Sequence, residues 1–342
     1  MVTIKDIALN AGVSIGTVDR VLHGRGRVSK NTSEKIKAIV KKTGYKANIH
    51  GRNLSLKTDY CFGVIMPQPQ QDSNYWDILR RGIDLSVKDL SSFNVNVKYF
   101  FFDKYSERSF CEAASRAIKA DIHGLIITPV LSDACPAFVK SIPTELPYLY
   151  VDSTVPETNP VAYIGQNSFQ SGVCGAKLMH LLVRDKGKVA VIRMLPNDFH
   201  INERVNGFMS YIKKISAINA RVFDVNGSMC DHDFIKIITK IEAEIGDCNG
   251  FFVTNAETHR VAKSLSRSAG GKKHIVGYDL VDENRRLVQE NVIDFIISQK
   301  TMEQGHRAIN MLFHNIILKE PCIKEVLMPI DIVTAENMMF YQ

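Results

Sequence analysis

From Tyr60 onward the chain repeats one pattern: a short apolar run, a helix-length amphipathic stretch, then another apolar run. The runs are YCFGVIM, VNVKYFFF, GLIIT, PYLYV, VAVIRM, GFFVT, HIVGY and DFIIS. Runs that are apolar throughout, rather than at alternate positions, are strands covered on both faces. Helices between them supply the cover, so the pattern predicts parallel, doubly wound α/β structure. A stretch of this length, about 280 residues, is large for one core and is expected to form two lobes. In open sheets of this kind ligands sit beyond the carboxyl ends of the strands, which singles out the residues that follow each run.

Those residues are polar. Asn74, Tyr75 and Trp76 follow the first run, Asp152, Asn255, Asp279 and Gln299 follow later ones, and Arg204 lies at the start of a helix in NERVNGF. Carboxylates, amides and a guanidinium that bond neighbouring hydroxyls pairwise, beside an aromatic face for the C–H surface of a ring, make a set suited to a sugar. Taken singly, Asp152 and Asn255 also read as helix caps.

The first 58 residues have a different character. They hold twelve lysines and arginines against three acids, a net charge of +9, while the rest of the chain is close to neutral. Such an asymmetry points to nucleic acid. The segment also carries helix punctuation. Thr3 is placed to cap a helix over 4–10, Gly12 to stop it, and Ser14 to cap a second helix running to Leu22. A third is expected from about Thr32 to Thr43, capped near Asn31 and closed by Gly44. The spacing of Ala8, Gly12 and Val18 is that of a helix-turn-helix: a small residue where two helices touch, a turn glycine, and an apolar residue that locks the second helix.

The stretch TIKDIALNAGVSIGTVDRVLHGRGRVSKNTSEKIKAIVKKTGYKAN resembles the DNA-binding headpiece of the lactose-repressor (LacI) family over its whole length. The resemblance implies that the helix from Ser14 to Leu22 is the recognition helix, with Ile15, Gly16 and Arg20 facing base edges in the major groove. Arg20 has an independent rationale, since a guanidinium pairs bidentately with guanine; the alternative is a phosphate contact. Asp19 is placed to accept from a cytosine amino group or to orient Arg20, and Ser14, Thr17, Ser29 and Asn31 to position the backbone. NIHGRNLSL resembles the family's hinge helix, which orders on the operator, and Leu54 holds the place of the leucine wedged into the minor groove. Ala47 stands where the family usually has proline and Gly51 sits mid-helix, both of which leave a free hinge less ordered.

For the larger part the resemblance implies a two-lobed, periplasmic-binding-protein-like module of type I, with crossovers near Ile164, Ser298 and Val326. The expected division is a headpiece over 1–46, a hinge over 47–59, one lobe from 60–165 plus 299–326, and the other from 166–298 plus 327–342. Each polar position named above matches one used by sugar-binding members, Arg204 through R-x-x-G-F and Asp279 through G-Y-D. Ala256 follows Asn255 where many relatives carry aspartate. Two headpieces of a homodimer are then expected on a pseudopalindromic operator, most often as a repressor, under control of a sugar or sugar derivative.

The sequence opposes several other classes. It contains no G-x-G-x-x-G, no P-loop, no G-x-S-x-G and no H-E-x-x-H, so a Rossmann-type enzyme is not expected, and His259 and His306 read as packing or surface residues. Seven cysteines without a C-x-x-C pair signal neither a metal site nor a redox dithiol, and no cofactor is expected. Lys5 and Asp6 interrupt any apolar leader, and no apolar run is long enough to span a membrane, so a cytoplasmic protein is expected. A transport-type sugar-binding protein would have a leader and lack the basic segment. A purine or nucleoside effector stays open as an alternative to a sugar.

Overall fold

The computed structural model describes residues 2–22, 28–43, 59–131, 134–184, 187–196, 198–265 and 272–341. The chain divides into two compact units, Met1–Thr58 and Asp59–Gln342.

In the first unit, α1 (Ile4–Ala11), α2 (Ile15–Leu22) and α3 (Lys30–Thr43) enclose a small core of Ile7, Ala8, Ala11, Val18 and Ile36. Short hydroxyl side chains start each helix. The Asp6 amide donates to Thr3 Oγ1 at 3.3 Å and the Thr3 amide donates back to Asp6 at 2.8 Å, a capping box. The Thr17 amide donates to Ser14 Oγ at 3.2 Å. Gly12 ends α1 at φ 71°, a left-handed conformation that costs glycine little. The third helix begins two residues earlier than expected, because its cap is Ser29, whose Oγ accepts the Thr32 amide at 3.2 Å. Asn31 therefore lies exposed in the first turn and is not the cap. Gly44 and the expected hinge, with Ala47, Gly51 and Leu54, lie outside the described residues.

The second unit runs β1 (Tyr60–Pro67), α4 (Gln71–Asp89), β2 (Val95–Phe102), α5 (Glu107–Ile118), β3 (Gly124–Ile127), α6 (Ala134–Val139), β4 (Tyr148–Asp152), β5 (Ala162–Gln166), α7 (Ser168–Val183) and β6 (Gly187–Leu195). It continues through α8 (Phe199–Ile212), β7 (Ile218–Asn226), α9 (Asp231–Ile245), β8 (Gly250–Val253), α10 (Thr258–Leu265), β9 (His274–Tyr278) and α11 (Asp282–Gln289). The last elements are β10 (Phe295–Ser298), α12 (Thr301–Leu312), β11 (Glu325–Met328) and β12 (Asp331–Val333). Two six-stranded sheets form, ordered β11-β5-β4-β3-β1-β2 and β12-β10-β9-β8-β6-β7. The first is wholly parallel. The second departs from the all-parallel expectation, because β12 returns directly after a short connection and pairs antiparallel with β10. The central strands β3 and β8 are buried at every position, as their unbroken apolar sequences require.

The chain leaves the first sheet after Gln166, re-enters it after Ser298 and leaves again after Met328. Ile164 and Val326, near which crossings were expected, pair with each other two residues before the strand ends, and the ladder runs on to Met328 opposite Gln166. A single buried side chain joins the three crossings, since Gln166 Nε2 donates to Ser298 O at 3.2 Å and to Pro329 O at 2.8 Å. In each lobe one helix pair crosses at backbone contact through facing glycines. Gly172 of α7 lies against the Arg204 carbonyl and Gly207 of α8 against that of Phe169, while Gly82 of α4 and Gly305 of α12 do the same in the first lobe.

Candidate functional site

On the first unit, α2 turns Val18 inward and leaves Ser14, Ile15, Gly16 and Arg20 exposed. Ile15 keeps 44% of its surface accessible, a large apolar side chain with no use in the local core. Ser14 and Thr17 bond each other at 3.0 Å, so their hydroxyls serve the helix start. Ser29 does the same for α3 with Thr32 at 2.7 Å. Asp19 is half-buried. Arg20 thus stands on an exposed face beside two positions with little hydrogen-bonding capacity, inside a segment of strong positive charge.

In the second unit the strand ends converge as the α/β topology dictates. Seven of the eight expected residues, Tyr75, Trp76, Asp152, Arg204, Asn255, Asp279 and Gln299, line one small cavity between the lobes, of about 20 Å³ in this conformation. That is room for roughly one water, so admission of anything larger requires the lobes to part. The eighth, Asn74, does not join them. Asp72, Ser73 and Asn74 form a left-handed turn, with φ of 49°, 57° and 67°, which faces Asn74 outward to a groove of about 820 Å³ shared by both lobes. The same turn sends the Ser73 hydroxyl across to the second lobe, where it donates to Glu257 at 2.8 Å and lies 3.3 Å from His259 Nε2.

Asp72 takes the place expected of Asn74. Its Oδ2 accepts from Lys104 Nζ at 2.6 Å and from the Trp76 indole at 2.8 Å. Burial by itself disfavours the Lys104 ammonium, but Asp72 more than compensates and raises its pKa. Asp152, the last residue of β4, and Asp279, the residue after β9, adopt left-handed conformations, φ 73° and 68°, a strain taken up where both side chains line the cavity. Tyr75 donates to Asp152 at 2.6 Å, and Gln299 Nε2 donates to Asp279 at 2.9 Å and to the Tyr75 oxygen at 3.2 Å. Burial pushes the Asp279 carboxyl up to about 6, against the opposing pull of Arg204 and Gln299. Arg204, fully buried, stacks 3.9 Å over the Tyr278 ring and donates from Nη1 to Thr254 O at 2.7 Å. Asn255 lines the cavity, but its Oδ1 is occupied by the Glu257 amide at 3.0 Å, the capping role open to it from the sequence.

Besides Asp72, three polar lining residues were not among those expected: Lys104, Asp198 and His200. Each follows a strand end, β2 or β6, so the rule that picked the others would have found them. His200 Nδ1 lies 2.7 Å from Asp198 without the alignment of a hydrogen bond. Burial raises the Asp198 carboxyl, yet His200, the Ile201 amide and Lys104 together outweigh it and hold the group below its ordinary range. Val130, Ile201 and Ala256 complete the wall with apolar surface.

Five buried polar atoms of this shell have no hydrogen-bond partner among the described residues: Arg204 Nε and Nη2, Asp72 Oδ1, Gln299 Oε1 and His200 Nδ1, the last set against the Asp198 carboxylate as an ion-pair contact. An unpaired buried group costs about 1–3 kcal/mol, so the four that lack even an ionic neighbour, on Arg204, Asp72 and Gln299, describe a site built for a bonding partner. The described residues include no group of histidines, cysteines and acids arranged to hold a metal.

Comparison with known proteins agrees with this geometry. Residues 62–320 match the periplasmic binding protein domain, and residues 3–48 match the bacterial regulatory proteins of the lacI family. The ribose operon repressor of Lactococcus lactis is 26% identical over 216 residues, 63% of this chain and 61% of that protein. Catabolite control protein A of Streptococcus mutans is 34% identical over 94 residues, 28% of this chain and 27% of that one. The chain therefore aligns with less than two thirds of the length of these relatives. Among solved structures, GanP, a glucose-galactose binding protein from Geobacillus stearothermophilus, shares the fold at a TM-score of 0.73 and 20% identity, over 82% of this chain and 99% of its own. A LacI-type chain from Bacteroides fragilis superposes at a TM-score of 0.78 and 24% identity, over 83% of this chain and all of its own. The protein belongs to the periplasmic-binding-protein domain family and carries, ahead of that domain, the amino-terminal domain of the lacI family of bacterial regulatory proteins.

Proposed function

We propose that this protein is a ligand-responsive, sequence-specific DNA-binding transcription regulator, a repressor of a carbohydrate-utilisation operon, whose effector is a sugar or sugar derivative held between the two lobes. The observation that carries the reading is the shell of unpartnered buried donors and acceptors on Arg204, Asp72 and Gln299. Tyr75, Trp76, Asp152, Asn255 and Asp279 frame the same cavity. In the DNA-binding half, Arg20 reads a base edge, Ile15 and Gly16 allow close approach, and Ser14, Thr17, Asp19, Ser29 and Asn31 set the helices and their phosphate contacts. Leu54 is the minor-groove wedge.

Two copies pair through the lobes so that two headpieces meet adjacent half-sites of a pseudopalindrome in the cytoplasm, and no catalytic step is involved. Effector binding selects one state of lobe closure and thereby biases the hinge. Couplings of this kind amount to about 1–3 kcal/mol. Trp76, the sole tryptophan, gives the test, because it lies in the cavity. Its fluorescence is titrated with monosaccharides, polyols, sugar acids and nucleosides. A saturable change that is lost in Arg204→Ala is expected. A ligand that raises the melting temperature while leaving Trp76 silent contradicts the assignment of the cleft.

A further inference from the structure

We infer that the cleft takes a neutral, hydroxyl-bearing ligand and rejects its phosphorylated or carboxylated counterparts, with Asp72 as the residue that enforces the choice. The inference rests on the reading of the cleft as the effector site and adds the charge class of what enters it.

The first observation is charge. The cavity is bounded by four carboxylates, Asp72, Asp152, Asp198 and Asp279, against two permanent cations, Lys104 and Arg204. His200 can offset at most one more carboxylate. The shell is therefore negative before any ligand arrives, and a buried site of that sign disfavours a second anion.

The second observation is the kind of bond left open. Arg204 offers two unpartnered donors, Nε and Nη2, while Asp72 Oδ1 and Gln299 Oε1 are unpartnered acceptors. A hydroxyl both gives and takes a hydrogen bond and satisfies both kinds. An ionised phosphate or carboxylate only accepts, so it would serve Arg204 and leave two oxygens of the shell facing its own. The Gln299 amide cannot turn to relieve this, since its Nε2 is committed to Asp279 and to the Tyr75 oxygen.

Asp72 sets the outcome because of what it does to Lys104. Lys104 is the one cation that the first lobe brings to the cavity, and Asp72 Oδ2 occupies it at 2.6 Å while also accepting from Trp76. With Oδ2 held twice, the carboxylate is fixed and Oδ1 is left buried without a partner in a residue that lines the cavity. The left-handed turn that carries it is the backbone strain that this orientation requires. One residue thus cancels the cation that would attract an anion and presents an acceptor that requires a hydroxyl.

The test is isothermal titration of the full chain with D-ribose, D-xylose, D-glucose, D-galactose and myo-inositol, and with D-ribose 5-phosphate, D-glucose 6-phosphate and D-galacturonate. At least one neutral compound is expected to bind, with its anionic counterpart weaker by about 100-fold or more, in line with discrimination by repulsion as well as by contact. In Asp72→Asn, which frees Lys104, that gap is expected to narrow by about tenfold. The wild-type comparison decides the charge class by itself should the variant fail to fold. An anionic compound that binds wild type as tightly as its neutral counterpart, with an Arg204-dependent Trp76 response, overturns this inference and leaves the effector-site reading intact. Binding of any of these compounds without a Trp76 response, or no binding by any of them, overturns both.

Discussion

Gly172→Ala tests whether the packing of two helices sets the position of Arg204. A methyl group at position 172 would overlap the Arg204 carbonyl oxygen and stand 2.9 Å and 3.0 Å from its carbonyl carbon and Cα. Backbone atoms cannot rotate away as a side chain can, so α8 must shift by roughly 1 Å, and overpacking of this kind costs about 1–3 kcal/mol. For a unit of this size that lowers the melting temperature by about 2–4 °C per kcal/mol. The site should suffer further, because Arg204 depends on a 3.9 Å stack over Tyr278 and a 2.7 Å bond to Thr254 O. Losing the alignment of one charged hydrogen bond, about 1.4 kcal/mol, weakens the effector about tenfold. Gly250→Ala is the control, since a methyl there meets the Met179 sulfur, the yielding end of a flexible side chain. It should lower stability by about 1 kcal/mol or less and leave affinity unchanged. Calorimetric melting and effector titration are run on both variants. A Gly172→Ala protein that loses stability yet binds the effector within twofold of wild type refutes the link between this crossing and the site.

Three further outcomes are expected. Gln166→Leu removes the two bonds that tie the crossings together and orphans the buried Ser298 carbonyl, a loss of about 1–3 kcal/mol; the melting temperature should fall and effector affinity should change by one factor for every ligand, whereas a ligand-dependent factor would count against a hinge role. Acidification from pH 7 to 5 should separate two buried groups of opposite sign. Burial, with Lys263 and Arg260, lowers His259 to about 4, so the unfolded chain takes up a proton that the folded one refuses, and stability falls by about 2 kcal/mol. Asp279, raised to about 6, takes up its proton in the folded state over the same window and returns about 1 kcal/mol. The urea midpoint should therefore fall further from pH 7 to pH 5 in Asp279→Asn than in wild type and should rise over the same interval in His259→Gln, and the opposite pair of responses would show that the two environments are misassigned. Arg20→Ala should abolish preference for a DNA duplex selected from a random pool, whereas a uniform drop on all DNA would reduce Arg20 to a phosphate contact.

Much of the architecture was legible because central parallel strands are covered on both faces and so appear as unbroken apolar runs. The strands that escaped are β5, β7, β11 and β12, three of them sheet edges. INARVFDVN in β7 is buried only at Ile218 and Val225, so half-exposure dilutes the pattern that marks a strand. The cleft was legible through the rule that ligands lie beyond strand ends, and that rule brought Asp152, Asp279 and Gln299 together from segments far apart in sequence. It misjudged Asn74 because three consecutive non-glycine residues in a left-handed turn have no sequence signature, and that turn exchanges the roles of Asn74 and Asp72. In the first unit, Ser29 and Asn31 are both good caps by residue type, and only the geometry of the first turn distinguishes them.

Reciprocal linkage between the cleft and the DNA-binding unit is the most direct test of the proposed function. Fluorescence anisotropy of a labelled duplex selected from a random pool, titrated with the full chain in the presence and absence of a saturating effector, measures it. A change in DNA affinity of about 5- to 150-fold is expected, abolished in Arg204→Ala, whose DNA binding without effector should match wild type. An effector that occupies the cleft and leaves DNA affinity unchanged, or a change that persists in Arg204→Ala, would contradict it.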